Sequence, residues 1–138
     1  MSIDWIRFYN FAVINNDVVE NHIDKDTELL LFCNNDIKLL NDAITRMVSI
    51  YVNNKKTVGT IGARLHFGDN TVQHSGIRVY LNQEPTGMYR IILTHKGFKS
   101  YYSFYNDNKK IFGNTGAFLM INKDLFLKKI GRAHVWTP

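Results

Sequence analysis

Only one cysteine, Cys33, occurs in the 138 residues, so an internal disulfide is excluded and a cysteine-rich metal or redox centre has no ligands to use. His66, His74 and His95 do not fall at zinc-ligand spacing with it, and a closed zinc site is not expected. No apolar run approaches the roughly 20 residues needed to cross a bilayer, and no charged-then-apolar leader opens the chain. Lysine and arginine never form the long run of a nucleic-acid arm. What these gaps leave is a protein of the cytosol, free or at a membrane surface.

What is present is enough for one folded domain. The length suits a single core. A hydrophobic fraction of 45% and an aromatic fraction of 13% exclude a disordered chain. The net charge of +5 and pI near 9.4 favour a polyanionic partner: nucleic acid, anionic lipid, or a small molecule bearing a diphosphate.

The most informative stretch is Glu28-Leu29-Leu30-Leu31-Phe32-Cys33, running into Asn34-Asn35-Asp36. An apolar run without period reads as a strand buried on both faces, and Cys33 within it as a buried, inert thiol. In open α/β sheets ligands bind beyond the carboxyl ends of strands, so the polar cluster that ends this run is a candidate site. A lone carboxylate there suits a hard divalent cation that keeps water and phosphate oxygens as its other ligands. The plainer alternative is that these three residues only turn the chain.

Around this strand the pattern alternates between helix and strand. Phe8, Phe11, Ala12, Ile14, Val18 and Val19 fall at helical spacing and predict an amphipathic helix ending near Asn21–His22. After Asp36, a cap at Asn41 or Asp42 and apolar Ile44, Met47, Val48 and Tyr51 predict a second helix, closed by Asn53-Asn54-Lys55-Lys56. Thr57–Leu65 reads as a strand, with Gly59 and Gly62 marking a close approach of backbone. The dinucleotide and phosphate-loop glycine patterns are absent. Phe67-Gly68-Asp69-Asn70-Thr71 has hairpin-turn chemistry and leads into Val72-Gln73-His74-Ser75-Gly76-Ile77. Gln83–Gly87 reads as a turn, and Tyr89–Thr94 as a short strand or one helical turn. Tyr101-Tyr102-Ser103-Phe104-Tyr105, near Lys109-Lys110, reads as packed aromatics, with sugar or base stacking as the alternatives.

The ordered series LLLFCNNDI, VGTIGARLHFGDNTVQHSGI and NTGAFLMINKDLF resembles the family-two nucleotide-sugar glycosyltransferases, in particular those that build bacterial surface polysaccharides. The resemblance covers about Phe8 to Lys129. It implies an α/β fold, GT-A-like and Rossmann-related, with a mostly parallel sheet and flanking helices, truncated at both ends and occupying residues 1–129. It implies that Asp36 binds a divalent cation, Mg²⁺ or Mn²⁺, with Asn34 and Asn35 shaping the nucleotide-sugar loop. Gln73, His74, Thr115 and Gly116 then fall on the acceptor side. The implied activity is metal-dependent, inverting transfer of a sugar from a nucleoside-diphosphate donor to a glycan or lipid-linked acceptor, with no nucleic-acid partner. The sequence departs from the family where the catalytic base is expected, in an acidic motif beyond its last residues. The fragment alone is therefore expected not to turn over.

Two other classes stay open: a catalytically inactive module that binds sugar nucleotides or glycans, and a basic nucleic-acid binder built on the aromatic stretch. Ile130–Pro138 fits, in one reading frame, the translation of a sequencing-adapter read-through with TGA read as tryptophan. Residues 130–138 are on that reading a non-native tail.

Overall fold

A computed structural model describes residues 11–81, 89–93, 96–99 and 111–130. The expectations for Phe8, the Gln83–Gly87 turn, His95, the aromatic stretch from Tyr101 and most of the tail lie outside the described residues. The chain forms two compact units, one of residues up to Leu30 with those from Ile121 onward, the other of Leu31–Met120.

In the first unit, α1 spans Phe11–Asn21 and the helical ladder continues one residue, His22 N–H donating to Val18 C=O at 2.9 Å. Its asparagines act locally: Asn15 donates to Phe11 C=O (2.7 Å) and Asn21 to the Asp17 carboxylate (2.9 Å). The helical period is as expected, yet only Val19 is buried, while Phe11, Val13, Ile14 and Val18 are exposed. A turn closed by Thr27 N–H on Asp24 C=O (3.1 Å) leads to Glu28. There Lys123 fastens two distant segments. Its amide donates to Glu28 C=O (2.9 Å), and its ammonium reaches the carbonyls of Asp24 (3.2 Å) and Lys25. The short helix α3, Lys123–Leu125, is capped by Asn122, whose side-chain oxygen accepts from Leu125 N–H at 3.0 Å, satisfying a donor that a helix start leaves open. A π-helical turn follows over Phe126–Ile130. Leu30, Ile121 and Phe126 are buried with Val19.

The second unit begins within strand β1 (Leu29–Cys33). Helix α2, Ala43–Asn54, buries Met47 and Tyr51, one turn apart. Asp42 stands at its N-cap without a capping bond; its carboxylate lies instead 3.4 Å from Arg46 Nε. At the other end Lys55 Nζ sits 5.5 Å from the Tyr51 ring centre, a cation–π contact. Short strands follow: β2 (Thr60–Gly62), β3 (Leu65–His66) and β4 (Val72–His74). The loop between β3 and β4 is the expected hairpin. Asn70 N–H donates to Phe67 C=O and Phe67 N–H to Thr71 C=O, both at 2.9 Å. Asn70 takes the left-handed φ of 63° that a three-residue hairpin loop requires. Asp69 accepts from the Thr71 hydroxyl (2.7 Å) and amide (2.9 Å), and these bonds hold its carboxyl below the usual carboxylate range. Strands β5 (Ile77–Leu81) and β6 (Tyr89–Leu93) pair antiparallel, Ile77 opposite Leu93 and Leu81 opposite Tyr89.

The three-stranded sheet has the order β1-β7-β2, with β7 spanning Phe118–Asn122. Asn34 N–H donates to Ala117 C=O and Lys123 N–H to Glu28 C=O, each at 2.9 Å; this crossed register makes β1 and β7 antiparallel. The strands that α2 joins do not pair with each other, because β7 lies between them. The expected parallel pairing is thus not seen where hydrogen bonds fix the direction. The doubly buried strand is β7, with Phe118, Met120 and Ile121 at 1–3% exposure. β1 buries only Leu30 fully, and Leu31 and Cys33 are exposed. The Cys33 thiol, expected to be buried, is accessible because β1 has a sheet neighbour on one side only among the described residues; Sγ lies 3.3 Å from Asn34 C=O. Among the described residues no helix is long and apolar enough to cross a membrane.

Candidate functional site

The residues singled out from sequence lie in the Leu31–Met120 unit. Asn34, Asn35 and Asp36 form a turn at the end of β1, closed by Ile37 N–H on Asn34 C=O at 3.3 Å. All three are exposed. The turn reading and the ligand reading are therefore compatible, since the turn presents Asp36 to solvent. The Asp36 carboxylate has no hydrogen bond or ion pair among the described residues.

Two bonds connect this turn with the other motifs. Asn34 N–H reaches Ala117 C=O at 2.9 Å. Two residues earlier, Thr115 N–H donates to His74 Nε2 at 3.2 Å, and the Thr115 hydroxyl accepts from Ala117 N–H at 3.3 Å. The segment Thr115–Ala117 is thus held at one end by the Asn34 backbone and at the other by the His74 ring. Two stretches that are remote from it in sequence converge on this segment.

His74 is the buried polar residue of this group, 6% exposed. Its Nε2 accepts a bond, so the ring is neutral with the proton on Nδ1. Burial penalises the imidazolium and lowers its pKa from the ordinary 6.5. The unfolded chain binds a proton there that the folded chain refuses. His74 therefore contributes stability that is complete above pH 6.5 and is lost as pH falls from 6.5 through the lower folded value. Urea unfolding of wild type against His74→Gln across pH 5–8 checks this: the difference between the two curves should shrink in acid. A difference independent of pH would contradict it.

Strand alternation separates the two residues assigned together to the acceptor side. Val72 and His74 are buried and Gln73 between them is exposed, so Gln73 and His74 occupy opposite faces of β4. Thr115 is half-buried and Gly116 exposed. Val72 also pairs on its other side, accepting from Gly97 N–H (2.7 Å) and donating to Phe98 C=O (2.8 Å).

Sequence reading found Gly62 as a close-approach position but not what it approaches. A Cβ there would collide with the side-chain oxygen of Asn114, whose amide donates to the Thr60 hydroxyl at 3.1 Å. Gly76, with φ of +116°, would bring a Cβ to 2.8 Å from the Ile111 side chain. The carbonyl of Ala117 carries no sequence signal, since any residue could supply it. Arg64, within the expected Thr57–Leu65 strand, stands in the connection between β2 and β3; its one sequence signal is a lone charge amid Gly-Ala and Leu.

Among the described residues no three His, Cys, Asp or Glu side chains stand together as a metal site. A cage built from protein ligands alone is not formed there. A single exposed carboxylate such as Asp36 is compatible only with a cation whose remaining shell comes from phosphate oxygens and water.

No family model matches the chain, and no solved structure matches it. Over 80 residues the chain is 32% identical to an O-antigen biosynthesis protein, RfbC, of Myxococcus xanthus. That stretch is 57% of this chain and 6% of the relative, so the chain is similar to a small part of a much longer O-antigen biosynthesis protein.

Proposed function

We propose that this chain carries the donor-binding part of a metal-dependent inverting glycosyltransferase of the family-two, GT-A kind, acting in surface-polysaccharide biosynthesis. The observation that carries the reading is the pair of bonds, Asn34 to Ala117 and Thr115 to His74, by which three family-like motifs meet on one short segment. The partial likeness to an O-antigen biosynthesis protein supports the pathway, and the basic net charge suits a diphosphate ligand.

In this reading each residue has a physical task. Asp36, on the exposed corner of its turn, holds Mg²⁺ or Mn²⁺ through one carboxylate oxygen. The cation neutralises charge on the departing nucleoside diphosphate. The Asn34 amide, tied to Ala117, fixes where that turn begins and hence the reach of Asp36. Asn35 borders the nucleotide sugar. His74, neutral and buried, acts by orienting Thr115 rather than by moving a proton. Thr115 and Gly116 face the acceptor side. The base that takes the proton of the acceptor hydroxyl is not assigned to any described residue. A GT-A arrangement is compatible with an antiparallel strand lying between two others that a helical crossover connects.

The test is ligand binding by the 138-residue chain. Calorimetric titration with a panel of nucleoside-diphosphate sugars should give binding in Mn²⁺ that EDTA removes. Binding of neutral glycans, with no response to sugar nucleotides or cation, would replace this reading with a glycan-binding module.

A further inference from the structure

We propose that Arg64 is an anion receptor, positioned to take a diphosphate oxygen. The class of ligand rests on the reading above; the site itself rests on the side chain. Arg64 Nη1 is sealed from solvent and has no hydrogen-bond partner among the described residues, although the residue as a whole is only half-buried. A guanidinium stays charged throughout the pH range in which proteins fold, and presents five donors in a fixed plane. A buried cationic N–H without an acceptor is costly, and native structures seldom keep one unpaired. What matches the guanidinium fork is an anion offering two oxygens, a phosphate or a carboxylate. Among the described residues no carboxylate forms an ion pair with Arg64.

The backbone around Arg64 is anchored on both sides to the converging segment. Gly62 lies against Asn114. Leu65 pairs with His74, whose ring holds Thr115. Arg64 therefore lies on a connection tied to the same stretch whose Ala117 carbonyl holds Asn34. None of the residues matched to the family motifs as ligand-binding supplies a cation; Arg64 would supply one without a metal. Two sources offer the same chemistry: a nucleoside-diphosphate donor and a lipid-linked diphosphate acceptor.

The test uses the whole chain and inorganic pyrophosphate in EDTA, read by calorimetry and by the thermal shift. Wild type should bind; Arg64→Met should weaken binding by about tenfold or more, with Arg64→Lys between them. Arg46→Met, which removes an exposed cation elsewhere, should change nothing. Without ligand, Arg64→Met should melt at the wild-type temperature or above, because it removes a buried unpartnered charge. Equal pyrophosphate affinity in wild type and Arg64→Met would overturn the proposal, as would a large drop in melting temperature, which marks a structural role. Competition by a nucleoside diphosphate or by a short-chain prenyl diphosphate identifies the source; competition by neither overturns it. Because these readings are taken in EDTA, their failure is separate from failure of the cation-dependent donor binding.

Discussion

Asp36→Ala should abolish cation-dependent binding of nucleoside-diphosphate sugars by this chain, and should lower transfer by about 10²–10³-fold in any longer form that turns over. The size of the effect follows from the proposal that a single carboxylate, that of Asp36, holds the cation. Among the described residues no cluster of three metal-ligating side chains stands ready to take over the cation. The stability of the variant should stay within about 0.5 kcal/mol of wild type, because Asp36 is exposed and its carboxylate is bonded to no described residue. That separation of binding from folding makes the result interpretable. Asp42→Ala, which removes another exposed carboxylate, should leave donor binding intact. If Asp36→Ala keeps wild-type affinity in saturating Mn²⁺ and still responds to EDTA, the cation is held elsewhere and the role given to Asp36 is wrong.

Phe118→Ala should destabilise the chain by about 3–5 kcal/mol, the range for removing a buried aromatic side chain. Phe118 is 1% exposed and opens β7, the strand with neighbours on both sides. Marginal stability of the order of 5–15 kcal/mol leaves little after such a loss. Phe112→Ala is the matched control. Phe112 is 78% exposed, and its backbone N–H, which donates to Ile77 C=O at 3.1 Å, survives the change. The control should cost less than about 0.5 kcal/mol. Urea unfolding midpoints measure both. A Phe118→Ala penalty near that of the control would mean that β7 is not the interior strand.

Local signals were legible. The spacing of Ile14, Val18 and Val19, and of Met47 and Tyr51, placed α1 and α2 close to their observed spans. The Phe67–Thr71 turn was readable for the same reason: short polar side chains bond to backbone a few residues away, and that chemistry is written in adjacent positions. Burial was less legible. Phe11 and Ile14 have helical period but are exposed, because period fixes which residues share a face and not what covers it. Leu29–Cys33 shows the same limit. Its composition is that of an interior strand, yet among the described residues it pairs with β7 on one side only, which leaves Leu31 and Cys33 accessible.

The sequence by itself determined the helices, the hairpin turn and the residue types available for chemistry, since each of these depends on neighbours along the chain. Only the tertiary structure decided that β7 enters between β1 and β2, that His74 turns its ring to the Thr115 amide while Gln73 faces away, and that Arg64 Nη1 is enclosed without a described partner. The reason is physical: strand order and the direction of a bond between remote residues are set by which surfaces bury one another, and that choice is made in space rather than in adjacent letters.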